Sequence, residues 1–286
     1  MATDDTQEHP RAVLAARGLR PKKKYGQNFL VDAAAAHRIA RLSLFDASEH
    51  ARIVEIGAGT GALTQALLDE GADVTAIEID PDLIGILRSR EELARANIEQ
   101  ADALVFDFAQ YAADRTWRVA GNLPYNIATP LILGLCEMQQ APQSITVMIQ
   151  KDVAARLAAS PGTAAYGSLS LAVQYAMTVE RAFTLGPRSF YPAPKVDSTV
   201  VQLVRRAEPP VRPRNLHLYR TVVRAAFAYR RKTLSNSLML ALGLERESVR
   251  EALRTADLSE MVRGEQLSMR DFATVADALE RVREVL

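Results

Sequence analysis

Ile53-Val54-Glu55-Ile56-Gly57-Ala58-Gly59-Thr60-Gly61 passes from a short apolar run into three glycines spaced two apart. Such a run reads as a buried strand ending in a tight turn. Ala62-Leu63-Thr64-Gln65-Ala66-Leu67-Leu68 follows with helical apolar spacing, and Val74-Thr75-Ala76-Ile77-Glu78-Ile79-Asp80 is a second strand. Strand, glycine turn, helix and strand make a βαβ unit, which predicts a parallel sheet with helices on its faces. Glycines at the turn let the backbone approach a ligand lying against the helix amino terminus. A carboxylate about 20 residues further on, at the end of the second strand, suits two ribose hydroxyls. Glu78 fills that position.

The nucleotide itself stays open at this point. Gly57, Gly59 and Ala62 satisfy the dinucleotide pattern G-x-G-x-x-G/A, so NAD is compatible. Three features favour S-adenosylmethionine. Glu55 sets an acid just before the glycines, where a pyrophosphate would be repelled. Asp102, after a third strand near Asn97, can take an adenine amino group. A fourth strand, Trp117-Arg118-Val119-Ala120-Gly121, ends in Asn122-Leu123-Pro124-Tyr125. Proline fixes φ and lacks an N–H, so the carbonyls before it are not tied into a helix. Those carbonyls and the Asn122 amide oxygen can accept hydrogen bonds from an amine, beside the flat face of Tyr125.

Downstream the alternation continues: a helix from about Thr129 to Met138, a strand at Ile145–Ile149, and helices at about 151–159 and 167–177. Two late strands, near 179–184 and 198–204, predict an antiparallel closure of the sheet. After Arg206-Ala207-Glu208-Pro209-Pro210 the pattern is wholly helical, at about 216–228, 232–242, 246–254 and 268–285, which reads as a small bundle. The expected domains are therefore a tail over 1–20, an α/β domain over 21–206 and a helical domain over 207–286.

Residues up to about Pro10 are polar, and Arg11 to Lys24 holds six basic residues and no acid, so the first twenty residues read as a disordered, basic-ended tail. Asp32 can cap the helix from about Ala33 to Phe45. At 286 residues and 48% hydrophobic, the chain can bury a large core; a net charge of +1 means that affinity for a polyanion must come from local clusters. Cys136 is the single cysteine and sits in an apolar pattern, so it is expected to be structural, in a reducing compartment. His9, His37, His50 and His217 are scattered and make no metal set. No apolar run reaches membrane-spanning length, and the amino terminus lacks a signal-peptide core; a cytoplasmic, soluble protein is expected.

Six segments together carry a resemblance. They are Tyr25-Gly26-Gln27-Asn28-Phe29-Leu30, Val54 to Gly61, Ile77-Glu78-Ile79-Asp80, Asn122-Leu123-Pro124-Tyr125-Asn126-Ile127, Pro194-Lys195-Val196-Asp197-Ser198 and Arg230-Arg231-Lys232-Thr233. In this order the chain resembles the KsgA/RsmA family of small-subunit rRNA adenine N6,N6-dimethyltransferases, from about Lys22 to the last helix. The resemblance implies a Rossmann-like class I methyltransferase fold, a seven-stranded, mostly parallel sheet, followed by a small all-α domain. It implies four methyl transfers from S-adenosylmethionine to N6 of two adjacent adenosines near the 3′ end of the 16S rRNA, within the immature 30S subunit, by a monomer. It further implies that Asn28, Leu30, Gly57, Glu78, Asp102 and Asn122 line the S-adenosylmethionine site. Asn122, Leu123, Pro124 and Tyr125 would hold the target base on one side, with Phe190 closing over the other.

RNA grip is expected from clusters. Between Arg205 and Lys232 nine basic residues face one acid, Glu208; Arg230, Arg231 and Lys232, with Lys22, Lys23 and Lys24, are the expected phosphate contacts. Two alternatives remain: a 23S rRNA adenine methylase of the macrolide-resistance type, which shares the catalytic domain, and an assembly factor acting mainly by binding. Leu123 and the Arg230–Thr233 segment lean against the first; intact Glu78, Asp102 and Asn122 lean against the second.

Overall fold

The computed structural model describes residues 9–45, 50–111, 116–229 and 231–285. The chain divides into two compact units, one running up to Ala154 and resuming over Thr178–Arg205, the other made of Ala155–Met177 and the residues from Arg206 onward.

In the first unit, α1 (Pro10–Ala15), β1 (Phe29–Leu30) and α2 (Ala33–Ser43) precede the βαβ core of β2 (Arg52–Ile56), α3 (Ala62–Asp69) and β3 (Asp73–Glu78). Next come α4 (Pro81–Arg88), β4 (Asn97–Gln100), β5 (Trp117–Asn122), α5 (Ala128–Glu137) and β6 (Ser144–Gln150). After α6 (Lys151–Leu157) and α7 (Ser168–Ala176), the chain returns to the sheet as β7 (Met177–Leu185), β8 (Phe190–Tyr191) and β9 (Ser198–Arg205). Seven strands form one sheet in the order β4-β3-β2-β5-β6-β9-β7, while β1 and β8 form a separate antiparallel pair. The register of β2 against β3 and β5, and of β5 against β6, is parallel; β9 then runs antiparallel to β6. Strand order reverses between β2 and β5, because the chain builds outward on one side to β4 before crossing to the other. That is where an open α/β sheet leaves a crevice.

The central strands are buried on both faces, so β6 shows an unbroken run of buried residues from Ser144 to Ile149 rather than alternation. Gly121 marks how closely the two central strands converge at their carboxyl ends. A Cβ there would lie 2.6 Å from the Ile56 carbonyl oxygen. Asp32 caps α2 by accepting from the Ala35 N–H at 3.0 Å, and Ile39 and Ala40 of that helix are fully buried.

Two expectations are corrected. Residues 9–20 are not a loose tail: His9 caps α1 through its ring nitrogen, and Val13 and Leu14 are buried against Phe29, Leu83 and Ile86. The basic residues hid an apolar pair spaced to face the domain. The domain boundary also differs, because 155–177 belongs with the helical unit rather than with a block over 21–206. Tyr166 and Leu171 share a core with Leu218, Tyr219 and Phe272, and the Tyr166 hydroxyl donates to the Leu267 carbonyl at 2.9 Å. Burial partners decided this, and they are not adjacent in sequence.

The helical unit continues with α8 (Leu216–Ala228), α9 (Leu234–Leu242), α10 (Arg246–Thr255) and α11 (Met269–Val285). Asn215 and Thr233 cap α8 and α9 by accepting backbone N–H groups, and Gly243 ends α9 in the left-handed conformation. Among the described residues no helix is long and apolar enough to cross a membrane.

Gly121→Ala forces a methyl into the Ile56 backbone, and the expected loss is about 1–3 kcal/mol of stability. Urea unfolding would check it; an unchanged midpoint would contradict this account of the strand ends.

Candidate active site

A cavity of about 350 Å3 opens at the carboxyl ends of the parallel strands, within the first unit. Every expected cofactor and base contact lines it: Asn28, Leu30, Gly57, Glu78, Asp102, Asn122, Leu123, Pro124, Tyr125 and Phe190. The sheet explains the convergence. Glu78 ends β3, the glycine turn follows β2, Asp102 follows β4 and Asn122 ends β5, so four neighbouring strands deliver four groups to one rim.

On one side of the cavity, Gly57, Gly59 and Gly61 all take positive φ, which only glycine adopts readily in succession. Glu78 is buried at 6% exposure and accepts the Gly59 N–H at 2.9 Å and the Asp80 N–H at 3.0 Å. Burial raises its pKa above the ordinary carboxylate value, and the two backbone N–H groups work against that rise. Each carboxylate oxygen keeps a further lone pair for a hydroxyl. Asp102, just past β4 and next to Glu78 on the sheet, accepts the Leu104 N–H at 2.9 Å, which fixes its side chain at the cavity.

Glu55 is a weaker repelling anion than its position suggested. It is 1% exposed and accepts the Thr64 hydroxyl at 2.5 Å. Burial pushes its pKa up to about 7, against the pull of the Thr64 hydrogen bond. A carboxyl half protonated near neutrality is a weak argument against a pyrophosphate. Choice of nucleotide must come from elsewhere in the site.

On the other side stands the Asn122 loop. Asn122 Nδ2 donates to the Asn28 carbonyl at 2.7 Å, which assigns the amide: nitrogen on the Asn28 segment, Oδ1 left as an acceptor. The Leu123 N–H is taken by the Met148 carbonyl at 3.1 Å, and the Pro124 carbonyl by the N–H groups of Ile127 and Ala128. Among the described residues nothing donates to Asn122 Oδ1 or to the Leu123 carbonyl. Tyr125 is half-buried, its hydroxyl 3.3 Å from Ser198 Oγ of β9. Phe190 is buried in the β1–β8 pair, opposite Leu30.

The expected RNA contacts divide. Lys22 is not a free charge: its ammonium lies 2.6 Å from both Asp80 and Asp82, and the Asp80 partner is 2% exposed. That pairing raises the Lys22 pKa, through Asp80 first. Lys22 is therefore withdrawn as a phosphate contact, because its charge is already paired with Asp80 and Asp82. Lys23 is exposed, and Lys24 lines the cavity with its ammonium 4.5 Å from the Tyr25 ring centre. Arg231 and Lys232 are exposed between α8 and α9; Arg230 lies outside the described residues.

Gln27, Asp80, Ser198 and Thr64 were missed as working residues. Gln27 and Asp80 stood in two of the segments that carry the resemblance, but nothing in the sequence joined them. Gln27 Nε2 donates to Asp80 Oδ2 at 2.8 Å, and Gln27 Oε1 accepts the Lys22 N–H at 2.7 Å. Burial alone would raise the Asp80 pKa, yet Lys22, Gln27 and the Asp82 N–H bring it below the ordinary value.

Residues 18–280 match the model of the family described as ribosomal RNA adenine dimethylase. The chain is 44% identical over 262 residues to a ribosomal RNA small subunit methyltransferase A of Hahella chejuensis, covering 91% of this chain and 93% of that one. It is 45% identical to the protein of the same name from Pseudomonas aeruginosa, over 91% and 95% of the two chains. Among solved structures, a dimethyladenosine transferase from Plasmodium falciparum matches at 25% identity and a TM-score of 0.72, over 86% of this chain and 95% of that one. The 23S rRNA methyltransferase ErmE matches at 25% identity and a TM-score of 0.69, over 88% and 100%.

Glu55 generates a pH test. Its pKa rises from 4.5 unfolded to about 7 folded, so the stability that goes with its protonated form is whole below pH 4.5 and is lost as pH rises to about 7. Glu55→Gln should therefore gain on the parent across that window, by up to about 3 kcal/mol, and no further above it. Urea unfolding at several pH values reads this out; a difference that does not change with pH would contradict it.

Proposed function

This chain belongs to the ribosomal RNA adenine dimethylase family, and we propose that it dimethylates N6 of two adjacent adenosines near the 3′ end of 16S rRNA, using S-adenosylmethionine. The observation that carries the assignment of roles is the Asn122 loop. Its amide is locked nitrogen-inward on Asn28, so Asn122 Oδ1 and the Leu123 carbonyl stand as two acceptors at the rim of the cavity that holds Glu78 and Asp102.

The cavity suits the methyl donor in kind. Glu78 would take the ribose hydroxyls, Asp102 the adenine amino group, and the backbone at Gly57 and the side chains of Asn28 and Leu30 would line the remainder. When bound, S-adenosylmethionine supplies an electrophilic methyl on a sulfonium, so the protein need not generate one. What the chain contributes is geometry. Adenine N6 is a poor nucleophile because its lone pair is delocalised into the ring. Asn122 Oδ1 and the Leu123 carbonyl, each accepting one amino hydrogen, draw N6 toward a tetrahedral shape and free that pair. Alignment of two reacting atoms can supply roughly 7–11 kcal/mol. The methylated nitrogen then loses one proton to water, and the single hydrogen that remains can be kept by either acceptor while the other is released.

The target adenosine must leave its stack to reach the loop. Tyr125 on one face and Phe190 on the other recover about 1–3 kcal/mol per stacking partner. Ser198 holds the Tyr125 hydroxyl and thereby the plane of its ring. Lys23, Lys24, Arg230, Arg231 and Lys232 are the proposed phosphate contacts, on rRNA within the immature 30S subunit, for a monomer acting in the cytoplasm. Higher identity to the small-subunit methyltransferases than to ErmE supports 16S over 23S rRNA.

The purified protein, given S-adenosylmethionine and 30S subunits lacking the modification, should yield N6,N6-dimethyladenosine by mass spectrometry of the rRNA. Unmodified 30S adenosines with modified naked 23S rRNA would overturn the choice of substrate. Asn122→Ala should lower the rate at least roughly a hundredfold, by analogy with removal of one transition-state hydrogen bond. Replacing Arg231 and Lys232 together by Gln should lower affinity for the subunit and flatten its salt dependence by about one for each phosphate no longer neutralised. An unchanged slope would place the RNA surface elsewhere.

A further inference from the structure

Lys24 to Leu30 line the cavity, and the segment from Lys22 to Leu30 that carries them is fastened at both ends. At its far end β1 pairs with β8, setting Leu30 opposite Phe190. At its near end the fastening is polar. Gln27 Oε1 accepts the Lys22 N–H at 2.7 Å, and Gln27 Nε2 donates to Asp80 Oδ2 at 2.8 Å. Asp80 Oδ1 takes the Lys22 ammonium at 2.6 Å and the Asp82 N–H at 3.1 Å. Between the two fastenings lies Asn28, whose carbonyl receives Asn122 Nδ2.

We propose that Gln27 and Asp80 form a latch that positions Asn122 for methyl transfer. The proposal rests on Asn122 being the acceptor of the adenine amino group. An amide side chain can make one bond as acceptor and one as donor at its two ends, and Gln27 uses both. With its side chain held, the backbone of the next residue is held, and the Asn28 carbonyl points at the Asn122 amide. That carbonyl decides which end of the Asn122 amide faces the cavity. Asp80 is also two residues from Glu78 and donates its own N–H to Glu78 Oε1 at 3.0 Å. The latch therefore ties the wall that would hold the ribose to the wall that would hold the target amine. Neither Gln27 nor Asp80 touches the reacting atoms; both act through Asn28.

The polarity of the pair supplies the test. Gln27→Glu sets a carboxylate oxygen against Asp80 Oδ2. Asp80→Asn sets an N–H against the Gln27 N–H, and turning the Gln27 amide only moves the clash to Lys22 N. The double change Q27E/D80N restores the bond between the two side chains with donor and acceptor exchanged. Gln27→Met keeps the shape and removes both bonds. For each variant kcat and KM for unmodified 30S subunits, calorimetric affinity for S-adenosylmethionine and the thermal midpoint are measured. Each of the three single variants should lose about tenfold or more in kcat at saturating substrates, more than any change in KM for the subunit, and Q27E/D80N should return to within about threefold of the parent.

Parental kcat in the single variants, or a folded double variant no better than the single ones, would overturn the latch. An Asn122→Ala arm separates this from the assignment beneath it. If Asn122→Ala keeps parental kcat, the role of Asn122 fails and the latch with it. If Asn122→Ala is inactive while Gln27→Glu, Asp80→Asn and Gln27→Met behave as the parent, the latch alone fails.

Discussion

A single hydrogen bond, 2.7 Å from Asn122 Nδ2 to the Asn28 carbonyl, sets the chemistry of the cavity rim. The two ends of an amide differ only in being donor or acceptor, and a loop end leaves either orientation open. By consuming the nitrogen, the Asn28 carbonyl leaves an oxygen as what the cavity meets. The Leu123 carbonyl adds a second, because the proline after it cannot draw that stretch into a helix. Two acceptors in one place suit a group with two hydrogens to donate better than one that can only accept. The strand order supplies the rest, since the crevice between β2 and β5 brings the glycine turn and this loop side by side.

Three buried carboxyl groups within 26 residues are treated in three ways. Glu55 is sealed beneath the turn with one hydroxyl for company, and burial drives it toward neutrality. Glu78 is buried but accepts two backbone N–H groups, which work in favour of its charged form. Asp80, given a lysine and an amide, is held below its ordinary pKa. Burial opposes charge in all three; the partners decide the outcome. Position in the sequence did not separate them.

Most of the architecture was legible. The βαβ spacing, the strand ending at Asn122 and the helices of the second unit follow from apolar periodicity and from turn and cap residues, and α8 runs over the expected span from Leu216 to Ala228. The cavity residues were legible too, because strand ends in a parallel sheet must converge. What escaped is long-range. Val13 and Leu14 find their partners some 70 residues away, at Leu83 and Ile86, so a short helix read as a basic tail. Tyr166 and Leu171 join a core formed mainly by residues after Arg206, so the domain boundary moved. Lys22 looked like a phosphate contact until Asp80 and Asp82 appeared beside it, 58 and 60 residues on. Charge pairing across such separations leaves no periodic trace.

The central claim is that the Asn122 loop presents two oxygens to an adenine amine within reach of the methyl donor. A crystal structure with a non-reactive methyl-donor analogue and adenosine tests it most directly. The account predicts N6 within roughly 2.7–3.2 Å of both Asn122 Oδ1 and the Leu123 carbonyl, with the donor ribose on Glu78. An adenine bound away from the loop, or an Asn122 amide turned with its nitrogen toward N6, would contradict it.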